Sequence, residues 1–100
     1  MPKIRQTVSF RKWLVRLEDR TAKARLVRRI ERLAGGNADD HRFLGAGLFE
    51  LRDDFGPGYR MYYMHRGDES IILLVGGEKA SQARDILRAR QMIEQLDSRQ

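Results

Sequence analysis

A chain of 100 residues with no cysteine makes one small domain, held together by packing rather than by disulfides or thiolate metal sites. Its 20 Lys+Arg against 14 Asp+Glu give a net charge of +6, which points to an anionic partner, either phosphate backbone or an acidic protein. No run approaches the ~18 apolar residues of a membrane span, and the charged N-terminus lacks the apolar stretch of a signal peptide, so a cytoplasmic protein with no membrane partner is expected.

In chain order, Ile4 to Val8 reads as a short first strand, and Ser9 is placed to cap the helix that follows. Phe10, Trp13, Leu14 and Leu17 recur at i, i+3, i+4 and i+7, a core-facing stripe that makes Trp13 a core residue rather than a base-stacking platform. A break at Glu18-Asp19-Arg20-Thr21 leads to a second helix. Its buried stripe is Ala22, Leu26, Ile30, Leu33 and Ala34, and Gly35-Gly36-Asn37 ends it. The outer side of this helix carries Arg20, Lys23, Arg25, Arg28, Arg29 and Arg32. Residues 1–37 hold eleven Lys/Arg against three Asp/Glu, so the positive field is built by the N-terminal third. The two helices form a hairpin able to cover one face of a sheet.

Arg42 to Gly47 reads as a short strand or edge, and its two glycines blur its limits. Strands follow at about Leu48-Asp53, Tyr59-Arg66 and Ser70-Gly76. Gly56-Pro57-Gly58 and Arg66-Gly67-Asp68 supply the reversals between them. Alternation sends Phe49, Leu51, Tyr59, Met61 and Tyr63 to one face, and Glu50, Arg52, Arg60 and Tyr62 to the other. The antiparallel pair is therefore expected to present exposed guanidinium groups opposite an apolar face. Ile71 to Val75 is apolar on both faces, as in a central strand, and Gly76-Gly77 is expected to end it. A last helix runs from about Ser81 to Leu96 with Ala83, Ile86, Leu87, Ile93 and Leu96 as its stripe. The expected class is α+β in the order β-α-α-β-β-β-α: a small, mostly antiparallel sheet with an N-terminal helix hairpin and a C-terminal helix packed on it, all in one domain spanning residues 1–100.

Nearly the whole chain resembles the RelE/ParE superfamily of toxins from type II toxin-antitoxin modules, and within it the HigB-like, Gp49-like addiction module killer proteins. The resemblance is carried by Phe10-x-x-Trp13-Leu14 with Leu17-x-Asp19-Arg20, by Ala24-Arg25 and Arg28-Arg29-Ile30-x-Arg32-Leu33, and by Gly35-Gly36-Asn37. It continues through Gly45-x-Gly47, Glu50-Leu51-Arg52, Phe55-Gly56-Pro57-Gly58-Tyr59-Arg60-x-Tyr62 and Leu73-Leu74-x-Gly76-Gly77-x-Lys79-x-Ser81-Gln82-x-x-Asp85-Ile86. The order and spacing of these short motifs make the match, since each alone is weak.

The resemblance implies a ribosome-dependent mRNA endonuclease that uses neither metal nor cofactor. In its reaction the ribose 2′-OH attacks the adjacent phosphate, a base takes the proton, cations stabilise the phosphorane and an acid protonates the leaving oxygen. Arginine suits the phosphorane because its planar fork donates paired hydrogen bonds and stays charged. By the resemblance Arg60 is the first candidate, Arg52 the second cation and Lys79 a point charge at the same mouth. Glu50 is a candidate base. Tyr62 and Gln82 are candidate RNA contacts, together with Lys23, Arg25, Arg28 and Arg29 of the basic helix. The chain lacks the C-terminal histidine or tyrosine common among the RNase members, and His65 falls on the face opposite Arg60, which leaves the proton-transfer groups open. A helix-turn-helix (HigA-like) antitoxin is the implied partner, in a toxin-antitoxin hetero-oligomer, besides ribosome and mRNA. A non-enzymatic gyrase inhibitor in the manner of ParE, or an inactive homologue that only binds its antitoxin, is the alternative.

Overall fold

Strand pairing organises the chain in the computed structural model, which describes residues 2–98. The elements are β1 (Lys3–Gln6), α1 (Val8–Arg16), α2 (Arg20–Ala34), β2 (His41–Gly45), β3 (Leu48–Asp53), β4 (Tyr59–Arg66), β5 (Ser70–Glu78), a 3-10 turn (Lys79–Ser81) and α3 (Gln82–Asp97). The sheet order is β1-β5-β4-β3-β2, with β1 parallel to β5 and every other pair antiparallel. The α+β class, the mostly antiparallel sheet and the C-terminal helix agree with expectation. The element order does not, because four strands rather than three follow the helix pair. The extra one is β2, the short strand or edge read at Arg42 to Gly47, which runs from His41 to Gly45 with a register shift between Phe43 and Gly45 and turns through its glycines into β3.

Helices cover both faces of the sheet. Phe10 of α1 and Ala22, Leu26 and Leu33 of α2 bury against Leu51, Tyr59, Met61, Tyr63, Ile71 and Leu73. On the other face Ala89 and Ile93 of α3 bury against Leu48, Tyr62, Met64, Ile72, Leu74 and Val75. β5 is interior but β4 is the middle strand. A register shift between Tyr62 and Tyr63 lets Leu74 and Val75 follow one another into the α3-side core.

Three local expectations are corrected. The first strand stops at Gln6, and Thr7 rather than Ser9 caps α1: its side chain accepts from the Phe10 amide while its hydroxyl donates to the Leu74 carbonyl at 2.7 Å. Gly76 and Gly77 lie inside β5, which runs on to Glu78. They are needed there because a Cβ on Gly76 would sit 2.0 Å from the Trp13 ring on one face, and a Cβ on Gly77 would sit 2.0 Å from Asp85 Oδ2 on the other. The buried positions of α3 are Asp85, Ala89 and Ile93, whereas Ala83 and Leu87 are exposed. The helix starts over Gly77, where a small polar carboxylate fits and an apolar side chain is not called for.

Candidate functional site

Cross-strand register brings four polar side chains together beneath the start of α3. Glu50 pairs with Tyr62, and Arg52 with Arg60, on the α3-facing side of β3 and β4. Alternation thus grouped them correctly, but the expected exposure of the arginines is overturned. Arg60 is 1% exposed and Glu50 is 0% exposed, while the Arg52 side chain keeps 31%. The reason is that α3 and the 3-10 turn cover this face over Glu50 and Arg60, and leave Arg52 partly open at its edge.

The Arg60 guanidinium is held by one arm. Its Nη1 donates to the Tyr59 carbonyl at 3.0 Å and to Asp54 Oδ1 at 3.3 Å, with the Asp54 side chain 73% exposed. Glu50 Oε2 accepts from Gln82 Nε2 at 2.8 Å, and Glu50 Oε1 lies 3.8 Å from Arg52 Nε. Two like charges facing each other across β3 and β4 are therefore each offset by one carboxylate. Around these links four buried polar atoms make no hydrogen bond of ordinary length among the described residues, Glu50 Oε1, Arg52 Nε, Arg60 Nε and the Tyr62 hydroxyl, although Glu50 Oε1 and Arg52 Nε face each other as the 3.8 Å ion pair and the Glu50 carboxylate also acts on the Tyr62 hydroxyl. Native interiors leave few such groups, and each costs about 1–3 kcal/mol, so their concentration makes this patch the candidate site. Burial, and then the nearby Glu50 and Asp85 carboxylates, push the Tyr62 hydroxyl well above its usual pKa against the lowering effect of Arg60. At neutral pH Tyr62 is a phenol with a proton to give.

The turn before β4 shapes the mouth of this patch. Gly58 adopts φ +81°, and the Lys79 amide donates to its carbonyl at 2.8 Å, which docks the 3-10 turn onto the hairpin. A Cβ on Gly58 would lie 3.2 Å from Lys79 Cβ and 3.7 Å from Arg60 Nη1, so the lysine stem and the guanidinium converge there. The exposed Lys79 side chain rises from that point. Beyond the patch, Asp85 is buried against Gly77 and accepts from Ser81 Oγ at 2.5 Å, an arrangement that fixes the first turn of α3 over the sheet.

The arginines of α2 divide into two kinds. Arg29 is largely buried and structural: its guanidinium donates to the carbonyls of Arg52 (2.6 Å), Asp40 (3.0 Å) and Ala38 (3.2 Å), tying α2 to the start of β2 and the end of β3. Arg25 pairs with the buried Asp53 at 3.0 Å and lies over the Phe55 ring. Lys23 donates to the Val15 carbonyl. Arg28 is exposed with no ion pair among the described residues. One shallow groove around the end of β3 is lined by Arg25, Arg29, Arg32 and Arg52 together with Asp39, Asp40, Asp53 and Asp54, so its arginines are matched by as many carboxylates. His65 packs edge-on against Tyr63 and Phe49 on the α2 side, away from Arg60.

Sequence reasoning missed the cover supplied by α3, the Gln82 to Glu50 bond and the docking of Lys79 on Gly58. The pair Gly76-Gly77 was the available signal, since two glycines inside a strand mark a close approach on both faces. Among the described residues no cluster of three or more His, Asp or Glu is arranged to hold a metal, and no helix is long and apolar enough to cross a membrane.

The model of a family described as phage derived protein Gp49-like (DUF891) matches residues 12–94, a span that contains every residue of the patch. An uncharacterized protein of Haemophilus influenzae is 41% identical over 93 residues, which cover 93% of this chain and 94% of that protein.

Proposed function

This chain belongs to the phage-derived Gp49-like family, and on that premise we propose that it is the toxin of a toxin-antitoxin module, of RelE/ParE type, acting as a ribosome-dependent mRNA endonuclease. The family is linked to modules of this kind. The observation that carries the enzymatic reading is the set of four unpartnered polar atoms on Glu50, Arg52, Arg60 and Tyr62. Two are guanidinium N–H donors, one is a carboxylate acceptor and one is a protonated phenol. A phosphodiester undergoing attack by its own 2′-oxygen needs that inventory.

In this reading the Arg60 and Arg52 Nε groups donate to the non-bridging oxygens of the phosphate, where charge builds in the phosphorane. Glu50 Oε1 accepts the 2′-hydroxyl proton as the oxygen–phosphorus bond forms. Gln82 holds the other carboxylate oxygen and so fixes which one faces the substrate. Tyr62 donates its proton to the 5′-oxygen as that bond breaks. Lys79 adds an exposed cation at the mouth, and the exposed Arg28 of α2 adds to the field that attracts the strand. A cognate antitoxin neutralises the protein.

The test is pulse induction of the protein alone in bacteria, primer extension on abundant messages, and a parallel assay of gyrase supercoiling. Cuts inside translated frames, lost with Arg60→Ala and absent from untranslated transcripts, are the expected result. Intact messages with inhibited supercoiling refute the nuclease and favour a gyrase poison.

A further inference from the structure

The sheet has an unfinished edge. β1 pairs with β5 only from Ser70 to Leu73, because Thr7 then turns the chain into α1. β5 continues for five more residues to Glu78. Its bonds to β4 fix which backbone groups look outward. The Lys79 amide reaches the Gly58 carbonyl, so residues 79, 77 and 75 face β4, and residues 74, 76 and 78 face away. The Leu74 carbonyl is taken by the Thr7 hydroxyl, and the Glu78 carbonyl lies 3.2 Å from Ser81 Oγ, which shares its one proton with the closer Asp85 carboxylate. The N–H and C=O of Gly76 and the N–H of Glu78 have no partner on that side among the described residues.

This edge opens into a cleft of about 820 Å³ between α1 and the start of α3. Its walls carry Lys12 and Arg16 from α1 and Arg84 and Arg88 from α3, all exposed. Among the described residues only Arg84 of these four has an ion pair, with Asp85 at 3.8 Å, and that carboxylate is already bound to Ser81; Glu78 and Asp85 are the acids in the lining, so the four cations outnumber them. Val8, 71% exposed, stands at the rim beside Trp13.

We propose that the β5 edge from Leu74 to Glu78 is a docking site for an extended, acidic segment of the neutralising antitoxin, which adds a strand to the sheet between α1 and α3. The partner's identity rests on the toxin reading above, but the chemistry of the site does not. An incoming backbone supplies both a donor for the Gly76 carbonyl and an acceptor for the Gly76 and Glu78 amides, with acidic side chains reaching the four cations. RNA satisfies the cations, and its 2′-hydroxyls and base edges can bond single backbone groups, but it lacks the two-residue alternation of donors and acceptors that a strand edge presents. A second copy of this chain brings the same net charge of +6 to a cationic cleft and is repelled. The docked strand lies one strand away from Arg60, whose cross-strand partner is Gly77, so capture there holds the antitoxin beside the phosphate patch and obstructs access to the ribosome.

Hydrogen–deuterium exchange on the full-length protein, alone and with the protein encoded by the adjacent gene, tests this. The amides of Gly76 and Glu78 are expected to slow at least tenfold on complex formation while those of the far edge, His41 to Gly45, stay unchanged. Arg84→Glu with Arg88→Glu, both on exposed positions, should weaken the complex at least tenfold without altering the circular dichroism of the free protein. A complex that forms and rescues growth with Gly76 and Glu78 still exchanging freely overturns the docking site and leaves the toxin-antitoxin reading intact. Absence of both complex and rescue overturns that reading together with this occupant. Protection of the same amides by a twelve-nucleotide RNA but not by the neighbouring protein assigns the cleft to nucleic acid and also overturns the proposal.

Discussion

Replacing Arg60 by methionine should separate function from stability. The guanidinium is 1% exposed and its Nε has no partner, a condition that costs about 1–3 kcal/mol and is relieved by an apolar side chain of similar length. Against that, the Tyr59 carbonyl loses a donor worth about 1 kcal/mol, and the link to Asp54, an outward-facing carboxylate, is worth about 0.5 kcal/mol. The expected outcome for Arg60→Met is a stability between about 0.5 kcal/mol lower and about 1.5 kcal/mol higher, with growth arrest abolished. Urea denaturation followed by the fluorescence of Trp13, the single tryptophan, measures it. A loss of 2 kcal/mol or more would show that Arg60 is fully satisfied by its protein neighbours, and the inference from unpartnered atoms to a substrate site would fail.

Gly76→Ala drives a Cβ into the Trp13 ring and should cost at least about 1–3 kcal/mol, with a red shift in Trp13 emission; unaltered emission and stability would contradict the close approach. Arg29→Ala removes three carbonyl contacts of a mostly buried cation and should destabilise by about 2–3 kcal/mol, whereas Arg28→Ala should stay within about 0.5 kcal/mol; equal effects in denaturation would refute the division of the α2 arginines. Tyr62 has a folded-state pKa raised above its unfolded value, so the stability it contributes is present below about pH 10 and is lost as pH climbs through the raised value, at up to about 1.4 kcal/mol per pH unit. Tyr62→Phe should flatten the alkaline limb of the stability profile, and an identical limb in the variant would show that Tyr62 is not buried as a neutral phenol.

What the sequence made legible is what depends on alternation and periodicity. Glu50, Arg52, Arg60 and Tyr62 fall on one face because residues two apart must, and the structure keeps them there. The stripes of α1 and α2 follow for the same reason. What depends on a third element was not legible. The burial of Arg60 comes from α3 and the 3-10 turn, some twenty residues away, and nothing local in Tyr59-Arg60-Met61 announces it. The role of Asp85 is set by the empty space at Gly77, and the structural role of Arg29 by carbonyls in the loop before β2 and at the end of β3. A charge count therefore treats the structural Arg29 and the exposed Arg28 alike, since both are one positive charge on the same helix.

The pairing of β1 with β5 has a consequence for the order in which the molecule is completed during its own synthesis. β2 to β5 are sequential hairpins that close from neighbouring segments, but Lys3 to Gln6 must wait for Ser70 to Leu73 before finding a partner. Gln82 and the rest of α3 arrive later still, and with them the cover over Glu50 and Arg60. Lys3 to Gln6 are thus held open until β5 has been made, and the patch is assembled only when α3 has followed it. The two ends of the domain close together, so a change that slows the docking of α3 delays the burial of Glu50 and Arg60 without touching the hairpins that carry them.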